Sequence, residues 1–303
     1  MIKIMTRLNY RPYCRRFAII GLAACVAAMA ASSSAQTPKR SQSGIFGAGQ
    51  PGEVAVVRHE AKKLGLKNFE MQSRQVDGRL AIDAFTARLG SGTMQGQGLV
   101  DWSRPGDQQH MNITVRGVEV QALLNAFQVK LDAQIVGLSN ATINTQWQGV
   151  RGTQPRQTMN GTVRIDVGPG QIVGADVLRQ VASYTGIAEL QQIQFSSAVL
   201  EGTIRQGVMS ITKANFTGSD VQAVGVGLLD LRTEQVKIRF DGGVSPALLA
   251  RSTMPHVRAL ASVAKAAGKG QFIKVPLVII MSGQVRDPQF DLRWATKSDK
   301  NED

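Results

Sequence analysis

The sequence predicts a mainly β protein with a few short helices and an internal two-copy repeat. Three observations predict it. Many short runs alternate apolar and polar residues with period two. Gly and Asp punctuate these runs at hairpin-like intervals. One glycine-bearing pattern occurs twice along the chain.

The first 35 residues stand apart. Lys3, Arg7, Arg11, Arg15 and Arg16 come without an acid, and the apolar run Phe17–Ala31 follows, ending in Ser33-Ser34-Ala35. A basic end, an apolar stretch and a small-residue exit form the order of a secretory signal. Cleavage is expected after Ala35, which would release a periplasmic form. Retention as an inner-membrane anchor is the alternative, although Phe17–Ala31 is shorter than the roughly 20 residues that span a bilayer. Leu22-Ala23-Ala24-Cys25 also resembles a lipobox, which would make Cys25 a lipid anchor. The only two cysteines, Cys14 and Cys25, lie in this segment. The exported chain would therefore have no disulfide and no Cys nucleophile or Cys metal site.

Residues 36–52, rich in Ser, Gly, Gln and Pro, read as a linker. A β-rich domain is expected over 53–296, with a polar tail at 297–303. Within the domain, Phe69-Glu-Met-Gln, Gly78–Phe85, Met159–Val167 and Val236–Phe240 alternate as strands with one buried face. Val118–Phe127 and Ala175–Tyr184 place apolar residues at helical spacing. Pro246–Lys269 does so over a longer stretch that Pro255 should split. Val275–Met281, closed by Gly283, reads as the last strand.

The repeat keeps one offset through its strand motifs and a shorter one, 249 − 124 = 125, at its Ala-Leu-Leu. Gly78-Arg-Leu-Ala-Ile is answered by Gly207-Val-Met-Ser-Ile, and Gly96-Gln-Gly98-Leu-Val-Asp101 by Gly225-Val-Gly227-Leu-Leu-Asp230, each 129 positions on. After a connecting hairpin, the Ala-Leu-Leu ending at Leu124 answers the one ending at Leu249. The paired glycines, two apart, point to one face. They allow either a sharp sheet bend or close approach of another apolar body; the alternative is simple bulge glycines.

Chemistry-bearing patterns are sparse. The net charge is +13, but part of it belongs to the N-terminal segment and the rest is spread thinly. No concentrated basic stripe for nucleic acid is present, and a mild attraction to anionic lipid head groups fits better. His59, His110 and His256 have no ligand partner at metal spacing. Gly96-x-Gly98 and Gly225-x-Gly227 precede strands and lack the third glycine of a phosphate loop. Asp101 and Asp230 are equivalent repeat positions that read as strand-end turn formers. The chain is expected to be no enzyme and to carry no cofactor or metal.

The ordered set of motifs resembles the C-terminal region of the AsmA-like family of Gram-negative envelope proteins. It is carried by Thr93–Asp101, Ile113–Leu124, Met159–Gly168 with Ile172–Leu178, Gly225–Asp230, and Val275–Gly283 with Asp287-Pro288. Gly168-Pro169-Gly170 stands where the family usually has an Asn/Asp-Gly turn. The resemblance covers about Leu66 to Trp294. It implies an antiparallel sheet curled into a β-taco-like groove with an apolar interior. It also implies a role in outer-membrane biogenesis or phospholipid transport, with phospholipid, a membrane surface or envelope proteins as partners. A structural scaffold for outer-membrane protein assembly is the alternative function. Candidate groove residues are Leu80, Ile82, Leu99, Ile211 and Leu228, with Gly96, Gly98, Gly225 and Gly227 as structural repeat glycines. Ten to twelve strands at about 4.8 Å spacing would give a groove near 50 Å, which suits a lipid-binding module or one segment of an assembly.

Overall fold

The computed structural model describes residues 61–62, 64–76, 79–101, 108–148, 155–266 and 271–295. The targeting segment with its cleavage position after Ala35, the linker and the polar tail lie outside these residues.

Twelve strands form one antiparallel sheet in near-sequential order. They are β1 (Lys67–Val76), β2 (Arg79–Leu89), β3 (Gly92–Asp101), β4 (Gln108–Glu119), β6 (Leu138–Gln148), β7 (Asn160–Val167), β10 (Ser197–Arg205), β11 (Val208–Thr217), β12 (Val221–Asp230), β13 (Gln235–Val244), β14 (Ile273–Gln284) and β15 (Asp287–Trp294). The three short strands β5 (Gln134–Val136), β8 (Gly170–Val173) and β9 (Gln192–Phe195) make a second antiparallel sheet. Among the described residues the large sheet is not closed: β1 and β15 each have a single neighbour.

Strand alternation is carried through to burial. β6 alternates exposed and buried residues along its whole length, as a strand with one covered face must. Its Ala141, Ile143 and Trp147 join a single buried cluster that runs from Leu80 on β2 to Ile238 on β13. Met111, Trp147 and Met159 in that cluster are at most 1% exposed. Each fully buried side chain of this kind contributes about 2 kcal/mol relative to its exposed state.

Among the described residues five α-helices interrupt the strands: α1 (Val120–Ala126), α2 (Pro155–Thr158), α3 (Asp176–Thr185), α4 (Pro246–Leu249) and α5 (Pro255–Ala266). α3 begins with Asp176 in its first turn and stops at Gly186, whose φ of 63° is the left-handed conformation that ends a helix. Its Val177, Leu178 and Ala182 are buried. α4 opens at Ser245, whose hydroxyl accepts from the Leu248 amide at 3.1 Å, with Pro246 in the first turn. Pro255 does split the long helical stretch, by starting α5. α3, α4 and α5 together bury Ala182, Leu248, Leu249, Val257 and Ala261 over the end of β13.

Two features differ from the sequence expectation. Val275–Met281 is not the last strand: it lies within β14, and β15 follows from Asp287 to Trp294. Pro288 is tolerated because it stands near the start of an edge strand, where a missing N–H costs least. The three-stranded sheet was also unanticipated, since its strands are only three or four residues long and too short to show alternation.

The register of β1–β2–β3 recurs in β10–β11–β12. Gln72 pairs with Ala84, then the register slips so that Ser73 pairs with Ile82. Glu201 pairs with Lys213, then Gly202 with Ile211. Ile82 faces Gly98 and Phe85 faces Gly96, while Ile211 faces Gly227 and Ala214 faces Gly225. Every one of these positions is displaced by the same 129 residues, the irregularity included.

Candidate apolar binding face

Following cross-strand partners from one strand to the next defines rows that share a face. One row reads Met71, Phe85, Gly96, Ile113, Ile143, Val163, Gly202, Ile211, Gly227, Ile238, Met281, Phe290. It takes one residue from each of the twelve strands, and none is polar. The neighbouring row runs Ala87, Met94, Val115, Ala141, Ile165, Leu200, Ala214, Gly225, Phe240, Ile279, Leu292, again without a polar side chain. An uninterrupted apolar band therefore crosses the full width of the sheet.

The two halves of this band differ in exposure. From β2 to β6 it is buried: Phe85, Met94, Ile113, Val115 and Ile143 all belong to the core cluster. From β7 onward part of it is only half-buried, as at Ile165, Leu200, Phe240 and Met281. Ile279, Phe290 and Leu292 are likewise half-buried, against α3 and the short sheet.

The glycines shape the band. A Cβ on Gly96 would lie 2.5 Å from Cε1 of Phe85, and one on Gly225 would lie 2.6 Å from Cδ1 and Cε1 of Phe240. A Cβ on Gly98 would meet the Met111 methyl at 2.7 Å. A side chain of a neighbouring strand thus approaches each of these glycines, joined at Gly96 and Gly98 by a backbone carbonyl oxygen at 2.5 Å.

Leu80, Ile82 and Ile211 are in the core cluster at 1%, 3% and 4% exposure. Leu99 and Leu228 are not on that face. Leu99 pairs with Ala81, and Leu228 with Ser210, one position out of step with Leu80, Ile82 and Ile211. Leu228 is 53% exposed on the opposite face, beside Val224 and Val226. On β3 and β12 the glycines occupy the inward positions, and this turns the adjacent leucines outward. The half-buried residues of the band that the sequence reading passed over are Ile165, Leu200 and Phe240; their signal was the alternation of β7 and β13, continued across the sheet.

The opposite face is laced with charge. Arg164 bonds Asp166 and Glu201, and Lys274 reaches Asp241 at 2.9 Å beside Arg239. Burial opposes ionisation of Asp241, but the bonds from Lys274 and Arg239 outweigh it and hold the carboxyl below its ordinary range. At one end of the strands Arg156 on α2 donates to Glu234 at 2.8 Å and to the Leu231 carbonyl at 3.0 Å, tying α2 to the β12–β13 turn. The Ser91 hydroxyl and amide hold the Glu119 carboxyl below its usual range. Among the described residues no group of three or more His, Cys, Asp or Glu is placed to hold a metal ion, and no helix is long and apolar enough to cross a membrane.

No curated protein and no solved structure matches the chain. The model of the AsmA family matches residues 30–214. That span runs from before the first described residue to β11, and includes the first glycine pair and the half-buried Ile165 and Leu200. On this match, the chain belongs to the AsmA family.

Proposed function

We propose that this chain is a non-enzymatic periplasmic protein that binds phospholipid acyl chains along the apolar band and helps to transfer them in outer-membrane biogenesis. The observation that carries the reading is the band itself. Two adjacent rows cross the sheet without a polar side chain, and from β7 onward several of their members are left half-buried. Apolar surface left half-covered from β7 onward offers a place for an apolar occupant. AsmA membership supports the setting, since the family is associated with the envelope and with outer-membrane assembly or lipid transport.

The recurring register supports an internal duplication, with β1–β3 and β10–β12 as copies of one unit. On this reading the sheet curls so that its apolar face forms a trough. At about 4.8 Å between strands, twelve strands give a trough on the order of 50 Å long. The chain expressed with its targeting segment, purified from a bacterial envelope and sprayed under native conditions, should carry phospholipid. Delipidated protein that neither retains nor takes up labelled phospholipid would remove the proposal.

One observation favours a scaffold role instead. From β2 to β6 the same band is filled by its own side chains, with Ile82, Ile113 and Ile143 buried. That half would support outer-membrane protein assembly without holding lipid. Binding measurements separate the two, because a scaffold needs no lipid to be stable.

A further inference from the structure

We propose that copies of this chain join end to end, the β15 edge of one pairing antiparallel with the β1 edge of the next in the register that joins β7 to β10. The inference rests on the recurring register and not on lipid binding. It begins at the two open edges, since among the described residues β1 pairs only with β2 and β15 only with β14.

β10 repeats β1. Met71 pairs with Phe85 as Leu200 pairs with Ala214, and the slip after Gln72 recurs after Glu201. β15 repeats β7 by the same test. Starting from Gly98, successive partners are Met111, Thr145 and Gly161. Starting from Gly227, they are Ile238, Met281 and Phe290. Gly161 and Phe290 are again 129 positions apart, as are Gly98 and Gly227.

Within one chain the edge of β7 is covered by β10: Thr162 faces Thr203, Arg164 faces Glu201, and Ile165 faces Leu200. The equivalents of these pairs across two copies are Asp291 with Arg74, Arg293 with Gln72, and Trp294 with Met71. The outward side of this junction is charge-complementary. Asp291 meets Arg74, and Arg293 stands diagonal to Glu70, within reach of a long side chain. It reproduces the Arg164–Glu201 ion pair that spans the internal junction. On the inward side Trp294, now 60% exposed, would cover Met71 as Ile165 covers Leu200. Head-to-tail pairing of two different edges continues from copy to copy, as an open chain or, where the rotation closes, a ring.

Cross-linking of full-length copies in the envelope tests the register, with Cys14 and Cys25 both replaced by alanine. One tagged copy carries Arg74→Cys and a differently tagged copy carries Asp291→Cys. Directly opposed strand residues lie about 4.5–5.5 Å apart, within disulfide reach. Oxidation should therefore give a mixed-tag dimer. Gln72→Cys with Arg293→Cys should give the same band. Arg74→Cys with Arg293→Cys, a diagonal about 7–8 Å apart, should give several-fold less. Absence of the first two bands, or equal bands from all three pairs, overturns the proposal. A protein that binds lipid yet shows no such band would lose this inference alone.

Discussion

Phe85 lies directly opposite Gly96 across the β2–β3 hairpin, with its ring where a side chain on Gly96 would have to be. Phe240 stands in the same relation to Gly225 across β12 and β13. The glycine is needed because the aromatic ring is laid over the backbone, and the ring in turn fills the band that a missing side chain would leave hollow.

Replacing Gly96 by alanine should therefore destabilise the fold. Its Cβ would meet Phe85 and the Asn112 carbonyl oxygen, each at 2.5 Å, and the carbonyl cannot swing away. The expected loss is about 2 kcal/mol, read by urea denaturation. Gly168→Ala is the control: its nearest neighbour is the Leu138 carbonyl at 3.7 Å, and its change should stay within about 0.5 kcal/mol.

Much of this arrangement was legible in the sequence. The alternation over Met159–Val167 and Val236–Phe240 became β7 and β13, and the helical spacing over Val118–Phe127 and Ala175–Tyr184 became α1 and α3. The candidate face was less legible. Alternation gives two faces without saying which is covered, and leucine is the natural guess for the covered one. On β3 and β12 that guess is wrong for Leu99 and Leu228, because the inward positions go to glycines lying under Phe85 and Phe240. The register slips around Asp83 and Thr212 add to the difficulty, since each shifts the parity of its strand. Half-burial at Ile165 and Leu200 depends on what lies over them, which spacing along one strand does not encode.

Glu234 is predicted to be the costliest charge to remove. Its carboxylate receives Arg156, whose side chain is 9% exposed, at 2.8 Å. Glu234→Ala leaves a buried guanidinium short of its counter-charge, at a cost of about 3 kcal/mol. Thermal and urea unfolding would both report it.

Asp230 should make stability depend on acid pH. The Arg232 guanidinium bonds its carboxylate at 2.9 and 2.7 Å and holds its pKa below the ordinary 3.8, with burial opposing in part. A depressed folded value means that the stabilisation is present above pH 3.8. It is lost as pH falls through the lower folded value. Asp230→Asn should therefore cost up to about 1 kcal/mol at pH 7, since the pair is partly exposed. The difference from the parent should shrink below pH 4, as seen in melting temperatures measured across that range.

The central claim is that lipid sits on the apolar band and not on the charged face. Photo-reactive phenylalanine analogues placed one at a time at Leu200, on the band, and at Leu228, on the opposite face, test it in the envelope. Irradiation followed by mass spectrometry should find phospholipid adducts from position 200 and none from position 228. Equal labelling at both positions, or no adduct at position 200 in folded protein, would contradict the account.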